Sequence, residues 1–554
     1  MLKMPGTPIS LVVAIGMSCL AVVSPTFDFD LYWHLAFGRE IWNTGTIIQQ
    51  DVFSFTAAGT PFTNRYWLSQ WLFYGLQHLF GWNALPILKL LITAGIAILM
   101  FRTALFLNAR AWVAGILVPF CILLAHYRFV ERPELFSLLF IAALAYLLTG
   151  WRTGHLNERA LWIIPLLMLL WDWLHGGIFG LVYLSVFVIV ENVLPSHQRR
   201  LFGPLNRIWL ITLLVMLLNP LGLSTYGEFF SHLQGMGNPG SVLNAEYQPI
   251  SWREFKPFIL ILLLWGALTI VLRPAVSQSV ATLLFVLLST QITRMTGVAM
   301  ILVAPLLAVG ISLLLERPGN MQRLGQILMI TICLGWIVEG YTEKFRQPYT
   351  PRSFGWGVAE NALPAGAARM TRDLNLQGNF FNSGHFGGYL AWELYPERRV
   401  FHYNNGNIFG DTYRYWDKPA LLAQYNIQYA FVGNRQDLAN FPPQEWAQIY
   451  REPAGALVIK RTLDNARLIE QLEVIRFNPN LKEAELRQLA KFDRVRTLDE
   501  IAIYLAYRKD ERIAVLFNSL TKEHHGQLRQ IKIDTYLAKA IVTNPVLSGF
   551  AMPE

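Results

Sequence analysis

The stretch SPTFDFDLYWHLAFGRE (residues 24–40) follows directly on the first apolar run of the chain and carries Asp28, Asp30 and His34. Asp30 and His34 are four residues apart, so they share one face of a helix. The structural alternative is that Asp30 caps this helix and His34 belongs to an interfacial belt. Asp28 comes too early to cap the same turn, which leaves one carboxylate free to act as a general base. The candidate catalytic residues are therefore Asp28, Asp30 and His34.

Arginines recur in short segments that adjoin apolar runs. The segment HYRFVERPE carries Arg128 and Arg132, and STQITRMTG carries Arg294. A guanidinium binds phosphate oxygens bidentately, so these three residues are candidate ligands for a phosphate at the membrane edge. The alternative for Arg128 and Arg132 is an Arg and Glu network that fastens two helix ends. Arg294 is also a candidate counter-ion for Asp172.

Four further polar residues complete the set of candidate binding residues. The segment LLWDWLHGGIFG places Asp172 and His175 at the end of an apolar run, beside two glycines that permit a close turn or the approach of a ligand. Asp172 lies inside the apolar run, where a carboxylate is costly unless it pairs or lines a cavity. Glu246 and Tyr247 lie in a long loop rich in Gly and Pro, residues 219–257. They are candidates for contacts with sugar hydroxyls, with a structural role as the alternative.

The composition indicates a membrane protein. Of 554 residues, 53% are hydrophobic and only 15% are charged, and the mean hydropathy is +0.34. The net charge of +9 comes from Lys and Arg dispersed in short loops, a pattern that excludes a nucleic-acid groove. The three cysteines each fall in an apolar run, which disfavours a disulfide framework or a zinc site.

Apolar segments recur along the first 340 residues and predict about eleven membrane spans. A proline follows the first segment where a signal peptide would be cleaved, so we expect an uncleaved first span. An odd number of spans places the two termini on opposite faces of the membrane. The segments are residues 9–23, 85–106, 112–125, 135–148, 161–173, 178–193, 208–218, 258–272, 280–292, 299–315 and 324–338.

Charge divides the loops into two classes. Loops around residues 102–110, 152–159, 199–207, 273 and 317–323 carry arginines, which predicts that they are cytoplasmic. The other loops contain nearly every acid and histidine of the membrane region. We therefore expect the candidate site, and everything after Glu339, to lie on the extracytoplasmic face.

From about Gln377 the pattern changes to strands alternating with helices, which predicts a small α/β domain with a partly parallel sheet. Strands are expected at GNFFNS, RRVFHY, QYAFVG and ALVIKR, with helices at GHFGGYLAWEL, residues 419–425 and residues 444–450. The glycines after the first strand are a weak nucleotide signature. After Leu463 the chain is charged and helical, typical of an interaction module. The predicted domains are residues 1–340 with a large outer loop at 27–84, residues 341–462, and a tail at 463–554.

Several of these motifs together resemble bacterial multi-spanning membrane proteins of the GT-C glycosyltransferase type. They are the stretch from FDFDLYWHLAFGRE to RYWLSQWLFYGL, then RPELFSLLF, LWDWLHGGIFGL and FNSGHFGGYLAWELYPERRVFHYNNGN. The similarity covers roughly residues 9–460. It implies a GT-C-like fold with many α-helical spans, an acid just after the first span on the non-cytoplasmic face, and a soluble domain after the last span. It also implies that sugar comes from a polyprenyl phosphate or diphosphate carrier.

The resemblance implies roles for individual residues. Asp30, or else Asp28, would deprotonate an acceptor hydroxyl for inverting attack at the anomeric carbon. The leaving phosphate would be steadied by Arg128, Arg132 and Arg294. The chain departs from the resemblance after the RRVF strand, where relatives often carry an Asp-Gly-Arg-like turn and this sequence has YNNG at residues 403–406. The soluble domain is therefore expected to recognise a different acceptor, or none.

The sequence thus favours a glycosyltransferase of the bacterial inner membrane that uses a lipid-linked sugar and a glycan, lipid or protein acceptor. The alternative is a non-catalytic GT-C-like scaffold that binds lipid and docks a protein partner through its C-terminal regions. Secondary transport is disfavoured because the ionisable residues cluster on one face without matching inverted halves. Asp28 and Asp30 with another acid are the candidate ligands of a divalent metal, although no ligand spacing demands one.

Overall fold

The computed structural model describes residues 7–193, 203–220, 222–223, 246, 248–272, 275–316, 331, 335, 338, 354–409, 418–522 and 534–547. The chain divides into two compact units. The first unit contains Met1–Asp28, Phe37–Ile48 and Thr63–Val358. The second unit contains Phe29–Ala36, Gln49–Phe62 and Ala359–Glu554, so it includes both the region of the predicted α/β domain and the tail.

The first unit is built mainly from apolar helices. Each of the first ten predicted apolar segments overlaps a helix, and the eleventh, residues 324–338, lies almost entirely outside the described residues. The helix α2, Phe29–Thr44, carries residues of both units. The other helices are α1 Thr7–Val22, α3 Trp67–Phe80, α4 Ala84–Phe106, α5 Ala111–Leu124, α6 Glu134–Arg152, α7 Ile163–Leu174, α8 Ile178–Val193, α9 Pro204–Val215, α10 Trp252–Leu272, α11 Val276–Gln291 and α12 Thr296–Leu314.

Three stretches of the described chain are helical, long and apolar enough to cross a membrane: Ala84–Phe106, Glu134–Arg152 and Thr293–Leu314. Six shorter apolar helices of 10–17 residues accompany them. The third stretch, which contains α12, has 83% of its apolar window buried, against 50% for α4. We conclude that α12 is a central helix of the first unit.

Close contacts between the helices of the first unit depend on small residues. Gly115 of α5 packs on α1, where an added Cβ would lie 3.0 Å from the Cβ of Ser10. The α6 helix begins at Glu134 and ends at Arg152. The acid at its start and the base at its end each stabilise the helix dipole.

The second unit contains a four-stranded sheet in the order β1-β2-β4-β3. β1 and β2 are parallel, whereas β4 pairs antiparallel with both β2 and β3. The sheet core includes Phe381, Phe401, Ile427, Trp446 and Val458. This confirms the predicted partly parallel sheet. The strands are β1 Asn379–Asn382, β2 Ile427–Val432, β3 Trp446–Glu452 and β4 Gly455–Lys460.

Two local predictions for this region are wrong. Residues 444–450 were expected to be helical but contribute to β3, because β3 forms a hairpin with β4 that pairs Glu452 with Gly455. The RRVF segment was expected to be a strand, yet Val400 makes only an isolated bridge, to Ser54. Its amide donates to Phe53 at 2.9 Å and its carbonyl accepts from Phe55 at 3.1 Å. The partner of Val400 lies about 350 residues away in the sequence, whereas β3 pairs with the strand that directly follows it.

Helices flank the sheet and form the tail of the second unit. Two of them, α19 Glu483–Phe492 and α20 Arg494–Tyr507, follow one another in the tail, as expected of its charged and helical sequence, and the Asp493 side chain caps α20. Arg508 and Glu452 form a buried ion pair at 3.2 Å that joins the tail to β3. The helices are α13 Ala365–Asp373, α14 Gly387–Leu394, α15 Gly406–Phe409, α16 Lys418–Gln424, α17 Arg435–Leu438, α18 Ala466–Leu472, α19 Glu483–Phe492, α20 Arg494–Tyr507, α21 Glu511–Lys522 and α22 Asp534–Thr543.

Candidate functional site

The three candidate arginines lie at helix ends in the first unit. Arg128 ends a short 3-10 turn after α5, and Arg132 lies in the connection to α6. Arg294 lies in a 3-10 turn directly before α12. Gly297 lets α12 approach, because an added Cβ would lie 3.2 Å from the Cβ of Arg128. Segments more than 150 residues apart in the sequence thus meet at one place.

Glu134, the first residue of α6, joins two of these arginines. Its carboxylate accepts from Arg128 through both oxygens, with 3.3 Å between the Arg128 Nε and the Glu134 Oε1. The Glu134 Oε2 also lies 3.3 Å from the Nε of Arg294. The Glu134 side chain is only 7% exposed, so this contact is shielded from water.

Glu246 joins the remaining arginine to the same group. Its Oε1 lies 3.1 Å from the Nη1 of Arg128 and 2.8 Å from the Nη1 of Arg132. Burial alone would raise the pKa of Glu246, but the guanidinium groups outweigh burial and hold that pKa well below its ordinary value. Glu246 is therefore ionised and shares one oxygen between two cations.

Asp28 extends the group to the start of α2. Its Oδ2 lies 2.6 Å from the Nε of Arg132, and its side chain is 4% exposed. A metal cation at Asp28 would compete with the guanidinium of Arg132 for the same carboxylate. We call this group the arginine–carboxylate cluster; its members are Asp28, Arg128, Arg132, Glu134, Glu246 and Arg294.

A buried ion pair that sequence analysis missed lies beside the cluster. The Nζ of Lys89 lies 2.8 Å from the Oε1 of Glu131, and both side chains are almost fully buried. Lys89 also contacts Ser24 at 3.3 Å, and Glu131 accepts from Thr26 at 3.3 Å. The pair therefore holds the segment that leads into Asp28. The available signal was a lone lysine in the otherwise apolar start of α4.

His175 adjoins the cluster through Arg294. Its Nε2 lies 3.5 Å from the Nη2 of Arg294, and its Nδ1 shares a hydrogen bond of 2.7 Å with the Ser137 hydroxyl. The ring stacks on Tyr66. Burial and the nearby arginines hold the pKa of His175 well below its ordinary value, so the ring is neutral.

Asp172 has different partners from those expected. Its carboxylate accepts from the Nδ2 of Asn219 at 2.5 Å and from the amide of Gly177 at 3.1 Å. Arg294, the expected counter-ion, contacts Glu134 and His175. Asp172 thus helps to fix the turn after α7. The last candidate binding residue, Tyr247, lies outside the described residues.

The other two candidate catalytic residues belong to the second unit. The α2 helix begins at Phe29, so Asp30 lies in its first turn and Asp28 immediately precedes it. The expectation that Asp28 comes too early to cap this helix is therefore wrong, since Asp28, and not Asp30, is at the capping position. Asp30 is half-buried, whereas His34 is buried with its ring 3.6 Å from that of Trp33, measured between centroids. The structure therefore places Asp28, but not Asp30 or His34, in the first unit with the arginines.

The glycines after β1 have a packing role. An added Cβ at Gly387 would lie 1.9 Å from the carbonyl oxygen of His402, and one at Gly388 would lie 2.8 Å from that of Phe29. These positions require glycine because backbone approaches them closely. Within the described part of the chain, no group of three or more His, Cys, Asp or Glu side chains is arranged to hold a metal ion.

Solved structures, but not sequences, of known proteins resemble this chain. No protein-family profile matches the chain, and no curated protein matches it in sequence. The apo Archaeoglobus fulgidus oligosaccharyltransferase is similar with a TM-score of 0.52 and 11% identity, over 84% of this chain and 75% of that one. ArnT from Cupriavidus metallidurans bound to undecaprenyl phosphate is similar with a TM-score of 0.52 and 12% identity, over 82% of this chain and 98% of that one. The chain therefore has a GT-C-like fold.

Proposed function

We propose that the protein is a glycosyltransferase of the bacterial inner membrane that moves a sugar from a polyprenyl phosphate or diphosphate carrier to an extracytoplasmic acceptor. The GT-C-like fold supports this proposal. One solved structure of similar fold is an oligosaccharyltransferase, and another is bound to undecaprenyl phosphate. The apolar helices of the first unit are consistent with a lipid-linked substrate.

The arginine–carboxylate cluster is the observation that carries this proposal. A phosphate leaving group gains negative charge as the bond to sugar breaks, and fixed guanidinium groups stabilise that charge. Arg128 and Arg132 share Glu246, and Arg128 and Arg294 share Glu134, so all three cations are held close together. Three guanidinium groups held together by shared carboxylates can bind a phosphate when one carboxylate gives way, which supports a role in anion binding.

The proposed reaction needs one base and no acid. A carboxylate of Asp28 or Asp30 removes the proton of the acceptor hydroxyl, and the resulting oxygen attacks the anomeric carbon with inversion. The bond from that carbon to the carrier phosphate breaks, and its electron pair leaves with the phosphate. To serve as the base, Asp28 must first leave its ion pair with Arg132. Asp30 and His34 stay candidates on α2.

A sugar-transfer assay tests this function. Membranes containing the full chain are supplied with a panel of labelled polyprenyl-phosphate and polyprenyl-diphosphate sugars, and transfer to membrane acceptors is measured. Asp28→Asn and Asp30→Asn are compared with the parent at equal expression. Loss of the base is expected to slow transfer by roughly 100-fold or more.

The matched control for this assay is Asp464→Asn, which removes an exposed carboxylate from the second unit. We expect it to transfer sugar at the rate of the parent. Equal transfer by the parent, Asp28→Asn and Asp30→Asn would remove both candidate bases. Absence of transfer by the parent with every donor would favour the alternative below.

The alternative is a non-catalytic scaffold that binds lipid and docks a partner through the tail. One observation favours it: each of the three arginines already faces a carboxylate, as in a network that fastens helix ends. A scaffold would retain lipid-phosphate binding in Asp28→Asn and Asp30→Asn and would transfer no sugar. The transfer assay separates the two functions.

A further inference from the structure

Glu246 differs from the other two carboxylates of the cluster in its exposure. Its side chain is 28% exposed, whereas those of Glu134 and Asp28 are 7% and 4% exposed. Glu134 is the first residue of α6 and Asp28 directly precedes α2, whereas Glu246 lies in the long segment of sequence between α9 and α10. Among the three acids, Glu246 is therefore the one that a ligand from solvent or lipid can reach most readily.

The contacts of Glu246 match those expected of a phosphate oxygen. One oxygen atom lies 3.1 Å from a nitrogen of Arg128 and 2.8 Å from a nitrogen of Arg132. Charge-assisted contacts of this length are typical between guanidinium groups and phosphate. A phosphate has more oxygen atoms and more negative charge than a carboxylate, so it can take the same place and engage the same two nitrogens.

Formal charge supports the same interpretation. The cluster contains three guanidinium groups and three carboxylates, so it is neutral while Glu246 is in place. Removing the Glu246 carboxylate leaves one net positive charge on the face shared by Arg128 and Arg132. An anionic ligand restores neutrality there.

We propose that Glu246 is a competitor for the phosphate site: in the ligand-free protein its carboxylate holds Arg128 and Arg132, and the carrier phosphate displaces it. This inference rests on the proposed function and refines it, because it assigns Glu246 to the phosphate rather than to sugar hydroxyls. Displacement keeps the two arginines paired and in place before the donor arrives. It also lowers affinity for weak anions that cannot replace a carboxylate.

The test measures the dissociation constant of undecaprenyl phosphate for the full chain in nanodiscs. Glu246→Gln keeps the shape of the side chain and removes its charge, so it is expected to bind roughly threefold to tenfold more tightly than the parent. Undecaprenol, which lacks the phosphate, should bind both proteins equally. Inorganic diphosphate provides a second probe without the lipid chain.

The matched control is Glu191→Gln. Glu191 pairs with Arg152 at 2.8 Å at the far end of α6, about 27 Å along the helix from Glu134. The variant changes the net charge equally but leaves the cluster intact, so its affinity for undecaprenyl phosphate should equal that of the parent.

Unchanged or weaker binding of both phosphate probes by Glu246→Gln would overturn this inference. Equal tightening in Glu191→Gln would also overturn it, because a general charge effect would then explain the gain. The proposed function is tested separately. If the parent transfers sugar but Glu246→Gln binds undecaprenyl phosphate no more tightly, the function stands and the competitor role is refuted. A gain in binding with no transfer for any donor supports the phosphate site and refutes catalysis.

Discussion

Lys89 is a single charged residue near the start of an apolar helix. A buried ammonium group is costly unless a carboxylate buried beside it forms an ion pair with it. Glu131 supplies that partner at 2.8 Å, and both side chains are almost fully buried. Together they hold Ser24 and Thr26, just before Asp28. The pair thus links the stability of the first unit to the position of a candidate base.

Breaking this pair should be costly. Lys89→Met is expected to lower the free energy of unfolding by about 3 to 5 kcal/mol, because it leaves the Glu131 carboxylate buried without its cation. Unfolding in detergent by heat or denaturant measures the change. The double variant Lys89→Met with Glu131→Leu should recover most of the loss, because no buried charge remains.

The control for Lys89→Met is Arg372→Met, which breaks an exposed ion pair with Glu393. Exposed pairs contribute at most about 1 kcal/mol. An equal effect of Lys89→Met and Arg372→Met would contradict the account of the buried pair.

His385 gives the second unit a pH dependence. Burial lowers the pKa of His385 from 6.5 to about 4, against a weaker opposite effect of Asp437. As the pH falls, His385 takes up a proton near pH 6.5 in the unfolded chain but only near pH 4 in the folded one. The contribution of the neutral ring to the free energy of unfolding is therefore complete above pH 6.5 and is lost as the pH falls from there through about 4. The loss should be about 2 to 3 kcal/mol.

Denaturant unfolding of the second unit between pH 7 and pH 4 measures this loss. His385→Gln has no titrating ring, so its stability should vary less over the same range. If the free energy of unfolding of the parent and of His385→Gln had the same slope against pH, another group would control the acid sensitivity.

At the scale of elements, the sequence predicted most of the helices because their apolar runs are long and separated by charged loops. It failed at residues 444–450, where an apolar pattern compatible with a helix is a strand paired with β4. It also failed at Val400, which bridges to Ser54 in a distant loop. The partner of Val400 is remote in sequence, and a local pattern carries no information about it. The partner of β3 is the next strand along the chain, and pairing with it overrides the local preference for a helix.

For the candidate site, too, the sequence predicted some features and the structure was needed for others. Arg128, Arg132 and Arg294 were identified from residue type and position, and their mutual connection through Glu134 and Glu246 required the structure. The partners of Asp172, a turn amide and Asn219, also required it. The type of a residue indicates which groups it can bind, whereas tertiary packing decides which groups it contacts.

Gly387 is the element-scale test of packing in the second unit. Gly387→Ala is expected to destabilise this unit by about 1 to 3 kcal/mol, because the added Cβ would overlap the carbonyl oxygen of His402. Gly406→Ala is the matched control, since a Cβ there meets open space. Denaturant unfolding should separate the two variants, and equal stability would contradict the close approach at Gly387.

At the scale of the whole molecule, the proposal depends on sidedness. The second unit is expected outside the cytoplasm, and the arginine-rich connection near residues 152–159 inside. Leu463→Cys introduces a thiol at a residue that is 95% exposed. It should react with a membrane-impermeant thiol reagent in spheroplasts, whereas Arg159→Cys should react only after permeabilisation.

The parent chain is the background control for this labelling experiment, because its own cysteines lie in apolar runs. Labelling of Arg159→Cys and protection of Leu463→Cys in intact spheroplasts would reverse the proposed topology. The proposed extracytoplasmic transfer would then be excluded.

The central claim is that the arginine–carboxylate cluster binds the phosphate of the carrier. The most direct measurement is an experimental structure of the full chain with undecaprenyl phosphate. We expect the phosphate to contact the guanidinium groups of Arg128 and Arg132, with the Glu246 carboxylate moved away from both. A phosphate bound elsewhere, with the Glu246 contacts unchanged, would contradict the account.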